Sequence, residues 1–245
     1  MPEIPRHWKQ TSWEQKAQEN PLFAIQISDE MLSAPADGFP PHLLASLFHR
    51  GRRLFKRHVQ PYLAGDEVLF EYGCGAGRIL NAAIEAGHRV YGEDISPTMI
   101  AHCRRLVPAA EVYDLEEGRG AIPDGAADMV YSFVVLQHIQ LLSDYLAALD
   151  EITRVLKSGG QFTLHLNCVD IETGGRTENH EAYSLHYRPG ETEPFLHHNQ
   201  CNISGVKIGK KLLVETLAKG GLSIETWRPH NAAKPEAVWV TGRKG

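Results

Sequence analysis

The sequence has no C-x-x-C pair. Its four cysteines, Cys74, Cys103, Cys168 and Cys201, stand far apart, which excludes a zinc ribbon and a thioredoxin-type redox motif. It has no uncharged run approaching the roughly 20 residues of a membrane-spanning helix. Met1 to Gln10 lacks the apolar segment of a secretory signal, so a reduced, cytoplasmic setting is expected. Basic excess is missing as well. The 25 Lys and Arg stand against 30 Asp and Glu, a formal charge of −5. Affinity for a phosphate backbone comes from surplus cations, so nucleic acid is not an expected partner, and neither is a membrane. No repeat or low-complexity tract appears. With 42 % of its 245 residues hydrophobic and 22 % charged, the chain can bury a core, which excludes wholesale disorder.

The chain changes character near residue 65. Before it the pattern is helical. Ser12, with Gln15 three residues on, makes a capping-box pattern, and Asn20-Pro21 stops that helix. Residues 28–41 read as a loop. A second helix is expected from Leu43 to Val59, ended by Pro61. After residue 65, short apolar runs alternate with helical ones, which means parallel α/β. Strands are expected at Val68–Phe70, Arg89–Glu93, Glu111–Asp114, Met129–Val135 and Gln161–Leu166. The helices between them are expected at Ile79–Ala86, Pro97–Arg105 and Ser143–Leu156, the last closed by Gly159-Gly160. Residues 169–205 break this rhythm as a polar insertion with little periodicity, of the kind that is usually functional or mobile. A helix over Ile208–Ala218 and two strands, Leu222–Trp227 and Ala237–Thr241, complete the chain. Two strands in succession can pair antiparallel, so the sheet is expected to be mixed at that edge.

Glu71-Tyr72-Gly73-Cys74-Gly75-Ala76-Gly77 follows the first strand and opens a helix. Glycines there let the backbone approach a ligand, and the helix start offers free N–H groups. Arg78 stands where G-x-G-x-x-G would continue, which disfavours a dinucleotide pyrophosphate site. Glu71 would repel a phosphate and suits a ligand with a positive group. Asp94 closes the second strand, where an acid can accept from both ribose hydroxyls. It could instead cap the next helix, but Ser96 fills that role better. Alternation turns Glu93 to the other side of the strand. Asp114, at the end of the third strand, could bond an adenine amino group beside Leu115, or be a plain loop acid.

Five motifs stand in order: Glu71-x-Gly73-x-Gly75-x-Gly77; Asp94-Ile95-Ser96-Pro97-x-Met99; Asp114; Ile122-Pro123-Asp124-Gly125-x-x-Asp128-Met129-Val130; and Leu156-Lys157-x-Gly159-Gly160. Together they resemble the class I S-adenosylmethionine-dependent methyltransferases, and in particular small bacterial enzymes acting on small molecules. The likeness covers roughly residues 65–167. It implies a Rossmann-like, mostly parallel seven-stranded sheet with the last strand antiparallel and helices on both faces. It implies an N-terminal helical lid over residues 1–64, because Trp13-Glu14-x-x-Ala17-x-x-Asn20-Pro21 is similar to a lid helix. The implied cofactor is S-adenosylmethionine, with S-adenosylhomocysteine as product. Gly73, Gly75, Gly77 and Arg78 would border it and Glu71 would face the methionine amino end. Asp94 would hold the ribose. Ile95, Met99, Asp114 and Leu115 would lie at the adenine, and Phe133 near the sulfonium.

Methyl transfer to a hydroxyl needs orientation and a base. His138, in Leu136-Gln137-His138-Ile139, is one candidate, since an imidazole titrates near neutrality. It could equally pack or bond backbone. His165, with Asn167 on the same strand face, is a second, and could equally be a half-buried strand residue. Trp13, Asn167, His186 and Tyr187 are the candidate substrate contacts, with His180, Tyr183, His197 and His198 also in the insertion. No metal-ligand spacing appears, so no metal is expected. The expected acceptor is a small molecule, such as a sugar or secondary metabolite, with oxygen preferred over nitrogen. The competing readings are a nucleic-acid or protein methyltransferase and a non-catalytic cofactor-binding regulator. No Asn/Asp-Pro-Pro-Tyr/Phe or Pro-Cys motif supports the nucleic-acid one. The run Arg50, Arg52, Arg53, Lys56, Arg57 and His58 reads as a solvated helix face. Nothing in the sequence fixes the oligomeric state, a homodimer included.

Overall fold

The structure, a computed structural model, describes residues 13–15, 17–18, 41–115, 121–139, 142–169, 176–179, 184–187, 207–231 and 234–245. Contacts divide the chain into two units, Met1–Tyr131 and Ser132–Gly245.

In the first unit residues 13–15 and 17–18 are helical. Then come α1 (Pro41–His58), β1 (Val68–Tyr72), α2 (Arg78–Glu85), β2 (Arg89–Asp94), α3 (Pro97–Leu106), β3 (Glu111–Asp114) and β4 (Ala127–Ser132). The strands run in the order β3-β2-β1-β4, and every pair is parallel. This is the crossover pattern that helices between successive strands impose. Leu69, Phe70, Met129 and Val130 are at most 1 % exposed, as strands covered on both faces require. The Asp128 carboxylate accepts from the Val68 amide at 2.9 Å and so ties the start of β1 to β4. Ser96 caps α3, its Oγ accepting from the Met99 amide, and Pro97 occupies the first turn, where its missing N–H costs nothing.

Helix α1 buries Leu43, Leu47 and Phe55, spaced four apart with Gly51 between them on the same stripe. A Cβ at Gly51 would lie 1.9 Å from the Arg78 carbonyl oxygen. Gly51 thus sets how closely α1 approaches the start of α2, which is the start of the helix after the glycine loop.

The second unit holds a 3-10 turn (Leu136–His138), α4 (Leu142–Val155), β5 (Leu156–Val169), β6 (Arg176–Asn179), β7 (Ser184–Tyr187), β8 (Ile208–Gly209), α5 (Lys210–Lys219), β9 (Leu222–Asn231) and β10 (Lys234–Lys244). The last strand is antiparallel, as expected: β10 pairs with β5 on one side and β9 on the other. Strand β8 adds two parallel residues to β5. The fold class is therefore the expected one, mixed α/β with parallel strands followed by an antiparallel pair.

Three details differ from expectation. Gly159-Gly160 does not close α4. The helix ends at Val155 and Gly159 lies within β5. Lys244 donates to the carbonyls of Thr153 (2.7 Å) and Leu156 (2.8 Å), so a side chain from β10 satisfies the helix end and no glycine cap is needed. The insertion is not wholly irregular, because β6 and β7 pair antiparallel, Arg176 opposite Tyr187. Each strand is only four residues long and Arg176–Asn179 carries no apolar side chain, so no sustained alternation marks the pair in the sequence. Finally, Ile208 belongs to β8, and α5 starts two residues later, at Lys210. Among the described residues no helix is long and apolar enough to cross a membrane.

Gly51→Ala is expected to destabilise the chain by about 1–3 kcal/mol, since backbone must move to admit the methyl group. A urea unfolding midpoint compared with wild type measures this.

Candidate functional site

The loop after β1 is held open by main-chain bonds. The amides of Gly73 and Cys74 both donate to the Glu93 carbonyl, at 2.7 and 2.8 Å. Gly73, Gly75 and Gly77 have φ of 78°, 53° and 80°, a region that penalises any Cβ. The two ends of the loop differ in their surroundings. A Cβ on Gly77 would meet Cys103 Sγ at 2.6 Å, whereas one on Gly75 would meet nothing within 4 Å among the described residues. Gly77 serves close packing, and Gly75 faces open space.

Asp94 ties this loop to the next. Its Oδ2 accepts from the Gly75 amide at 2.8 Å, and its Oδ1 from the Ser96 amide at 3.0 Å. One carboxylate thereby joins the glycine loop to the start of α3. Burial raises the Asp94 carboxyl above its usual range, and the two amide bonds pull the other way. In the β2–β3 ladder Asp94 stands opposite Asp114, so the two expected nucleotide acids share one register position. Ile95 and Leu115 are half-buried. Met99 is buried in a cluster with Ala17, Leu43, Leu47 and Ala76.

Glu71 is 2 % exposed, and its Oε2 has no hydrogen-bond partner among the described residues. Burial pushes its carboxyl well above the ordinary range, while Arg78 and the Tyr131 hydroxyl oppose that rise. A buried acceptor of this kind is costly unless a donor or cation meets it. Cys74 is also buried, and its neighbour Cys103 and burial together raise its thiol well above the ordinary value, so it is not a reactive nucleophile.

The second unit carries the other candidates. Phe133 is buried just beyond β4. Val134 follows with φ 65°, a left-handed conformation that a β-branched residue adopts only under constraint. Strain of this kind concentrates at functional sites, and here it re-aims the chain into the turn that carries His138. His138 is half-buried, and its Nε2 lies 3.4 Å from the Gln137 side-chain amide nitrogen. His165 is 4 % exposed and faces Trp239 across the β5–β10 ladder, with ring centroids 4.5 Å apart. His230 stands 5.0 Å from His165, and Phe133 meets Trp239 edge-on at 4.9 Å. Asn167 is half-buried two residues beyond His165. His186 and Tyr187 lie on β7. Trp13 is half-buried among the N-terminal helical residues of the first unit. His180, Tyr183, His197 and His198 lie outside the described residues.

The structure thus brings Glu71, Gly73, Gly75, Gly77, Asp94 and Asp114 together around one loop system, and Phe133 and His165 around one tryptophan. Trp239 and His230 escape sequence reasoning because only the β5–β10–β9 register puts them beside His165. Glu14 stands in the sequence only as part of the lid-helix pattern, and its carboxylate's bonds to Ser96 and Thr98 are set by the fold.

Residues 70–164 match the family model described as a methyltransferase domain. A probable S-adenosylmethionine-dependent methyltransferase of Mycobacterium tuberculosis is 27 % identical over 161 residues, covering 65 % of this chain and 54 % of that protein. The chain therefore spans about half the length of this curated relative. Among solved structures, magnesium protoporphyrin IX methyltransferase from Synechocystis with bound SAM superposes with TM-score 0.58 at 13 % identity, over 97 % of both chains. A Burkholderia thailandensis 1,6-didemethyltoxoflavin-N1-methyltransferase, with that substrate and S-adenosylhomocysteine bound, gives 0.51 at 20 % identity, over 86 % and 93 %. Residues 70–164 thus match a methyltransferase domain, and these similarities together support a class I S-adenosylmethionine-dependent methyltransferase.

A carboxyl raised in the folded state holds its proton where the unfolded chain has released it. Stability then falls as pH climbs from the ordinary carboxyl range towards the raised value. Glu71→Gln removes that slope. Denaturant titrations from pH 4.5 to 8 are expected to show the variant gaining stability relative to wild type as pH rises.

Proposed function

We propose that the chain transfers the methyl group of S-adenosylmethionine to a hydroxyl of a small molecule, leaving S-adenosylhomocysteine. The observation that carries this reading is the Asp94 bridge beside the orphaned oxygen of Glu71. The residues fit the nucleotide. Each Asp94 oxygen spends one acceptor position on an amide and keeps another for a ribose hydroxyl. Glu71 Oε2 offers a buried negative partner to an ammonium group, which would also hold the carboxylate ionised. The open side of Gly75 admits a ligand against the backbone. Ile95, Asp114 and Leu115 serve the adenine, and Arg78 balances Glu71. Met99, 2 % exposed in the cluster with Ala17, Leu43, Leu47 and Ala76, is a packing residue and not the adenine contact expected from the sequence.

When bound, the cofactor supplies an electrophilic methyl group on a sulfonium. The chain's own task is to orient the acceptor and take its proton. A hydroxyl is a poor nucleophile until it loses that proton, whereas a neutral amine needs no prior base, so the histidines favour oxygen. His138, half-buried on a turn set by the strained Val134, is the proposed base. His165, packed against Trp239, is proposed to orient the acceptor with Asn167, His186 and Tyr187. Trp13 and the rest of residues 1–64 are proposed as a lid that shuts out water.

Calorimetric titration is expected to show micromolar binding of S-adenosylmethionine and S-adenosylhomocysteine and none of NAD. Asp94→Asn, whose amide presents a donor to one of the two N–H groups, should weaken binding at least tenfold. Binding of NAD alone would overturn the reading. His138→Ala should keep cofactor affinity and lose at least tenfold in turnover on a hydroxyl acceptor, the usual scale for a general base. Unchanged turnover removes His138 from the mechanism.

A further inference from the structure

Glu14 lies in the N-terminal helical residues, more than eighty positions from Ser96 and Thr98, which it binds. Its Oε2 accepts from the Ser96 hydroxyl at 2.6 Å and from the Thr98 amide at 3.1 Å. Its Oε1 accepts from the Thr98 hydroxyl and, at 2.9 Å, from the Gln18 amide. All four partners donate. Burial alone would raise this carboxyl, but those donors outweigh it and hold Glu14 below the usual range. The side chain is therefore an anion seated on the first turn of α3, where the helix presents unpaired N–H groups.

The turn it grips is the one that orients Asp94. Ser96 is bound three ways: its amide donates to Asp94 Oδ1, its hydroxyl donates to Glu14, and the same hydroxyl accepts from the Met99 amide at 3.1 Å. Glu14 holds one side of the turn and Asp94 the other. One helical turn on, Ala17 is 1 % exposed and packs with Ala76 of the glycine loop and with Met99. The N-terminal helical residues thus dock by a charge at Glu14 and an apolar contact at Ala17, both on the loops that flank Asp94.

We propose that Glu14 is a positioning residue of the nucleotide site: by binding Ser96 and Thr98 it fixes the Asp94–Met99 turn and so sets the Asp94 carboxylate for the ribose. This rests on the cofactor reading above. A carboxylate held only by Gly75 and Ser96 keeps its anchor but loses the fixed orientation of the Ser96 end. Preorganisation of this kind acts on ligand affinity, because the ordering is completed before the ligand arrives.

The test uses the full chain without cofactor for amide exchange, and S-adenosylhomocysteine for calorimetry. Glu14→Ala is expected to speed exchange at Thr98, at Ser96 and at Gly75, and to weaken S-adenosylhomocysteine at least tenfold. Glu14→Gln can still accept from Ser96 and the Thr98 amide through its Oε1 while the Thr98 hydroxyl turns to accept, so it should recover most of that affinity. Thr98→Val removes one partner and leaves the Asp94 bonds untouched. It should weaken binding by a smaller factor, and it gives the answer should Glu14→Ala not fold. Faster exchange confined to Thr98, with Ser96, Gly75 and the affinity unchanged, overturns the proposal. A wild-type chain that does not bind S-adenosylhomocysteine overturns the cofactor reading itself, whatever the exchange shows.

Discussion

The two loops that follow β1 and β2 depend on one carboxylate. Asp94 stands at the end of β2 and accepts one amide from each of two loops, Gly75 before α2 and Ser96 before α3. Both loops face the carboxyl ends of parallel strands, where open α/β sheets bind their ligands. The first loop has little side-chain bulk to set its shape. It is nearly all glycine and alanine, with φ values that only glycine tolerates freely. A charged acceptor bonded to both is a compact way to hold the two loops at a fixed spacing, because hydrogen bonds to an ionised group are the stronger kind.

That arrangement explains why its surroundings carry so much charge at so little exposure. Glu71, Arg78, Asp94 and Glu14 lie close enough to perturb one another. Burial works against every charge among them, and each is offset by a neighbour or an amide. The exception is one oxygen of Glu71. On the proposed reading, the ligand that enters the open space at Gly75 brings the donor for that oxygen with it.

Much of this was legible in the residues. The acid–glycine loop, the acid ending β2, the Ser96 cap and the strand alternation are local signals, each tied to a turn, a cap or a period of two or 3.6 residues. The elements appear within a few residues of their expected places because those rules act over short stretches of chain. What could not be read was set by pairing across long separations. Lys244 ends α4 from β10 and so displaces the Gly159-Gly160 cap. Trp239 meets His165 only through the antiparallel β5–β10 register. Glu14 reads only as part of the lid-helix pattern until the fold brings it to Ser96. Strands β6 and β7 are four residues each, too short for a periodic signal to stand out. The proposed acceptor residues were the least legible, because they lie on a turn, a strand and an insertion far apart in the chain, and no local rule links them.

A crystal structure of the chain with S-adenosylhomocysteine tests the central claim most directly. The account predicts ribose hydroxyls on the two Asp94 oxygens, with the Gly75 and Ser96 bonds retained, and the ligand's ammonium group within hydrogen-bond reach of Glu71 Oε2. A nucleotide bound away from Asp94, or one whose binding breaks the bond from Gly75, would contradict it.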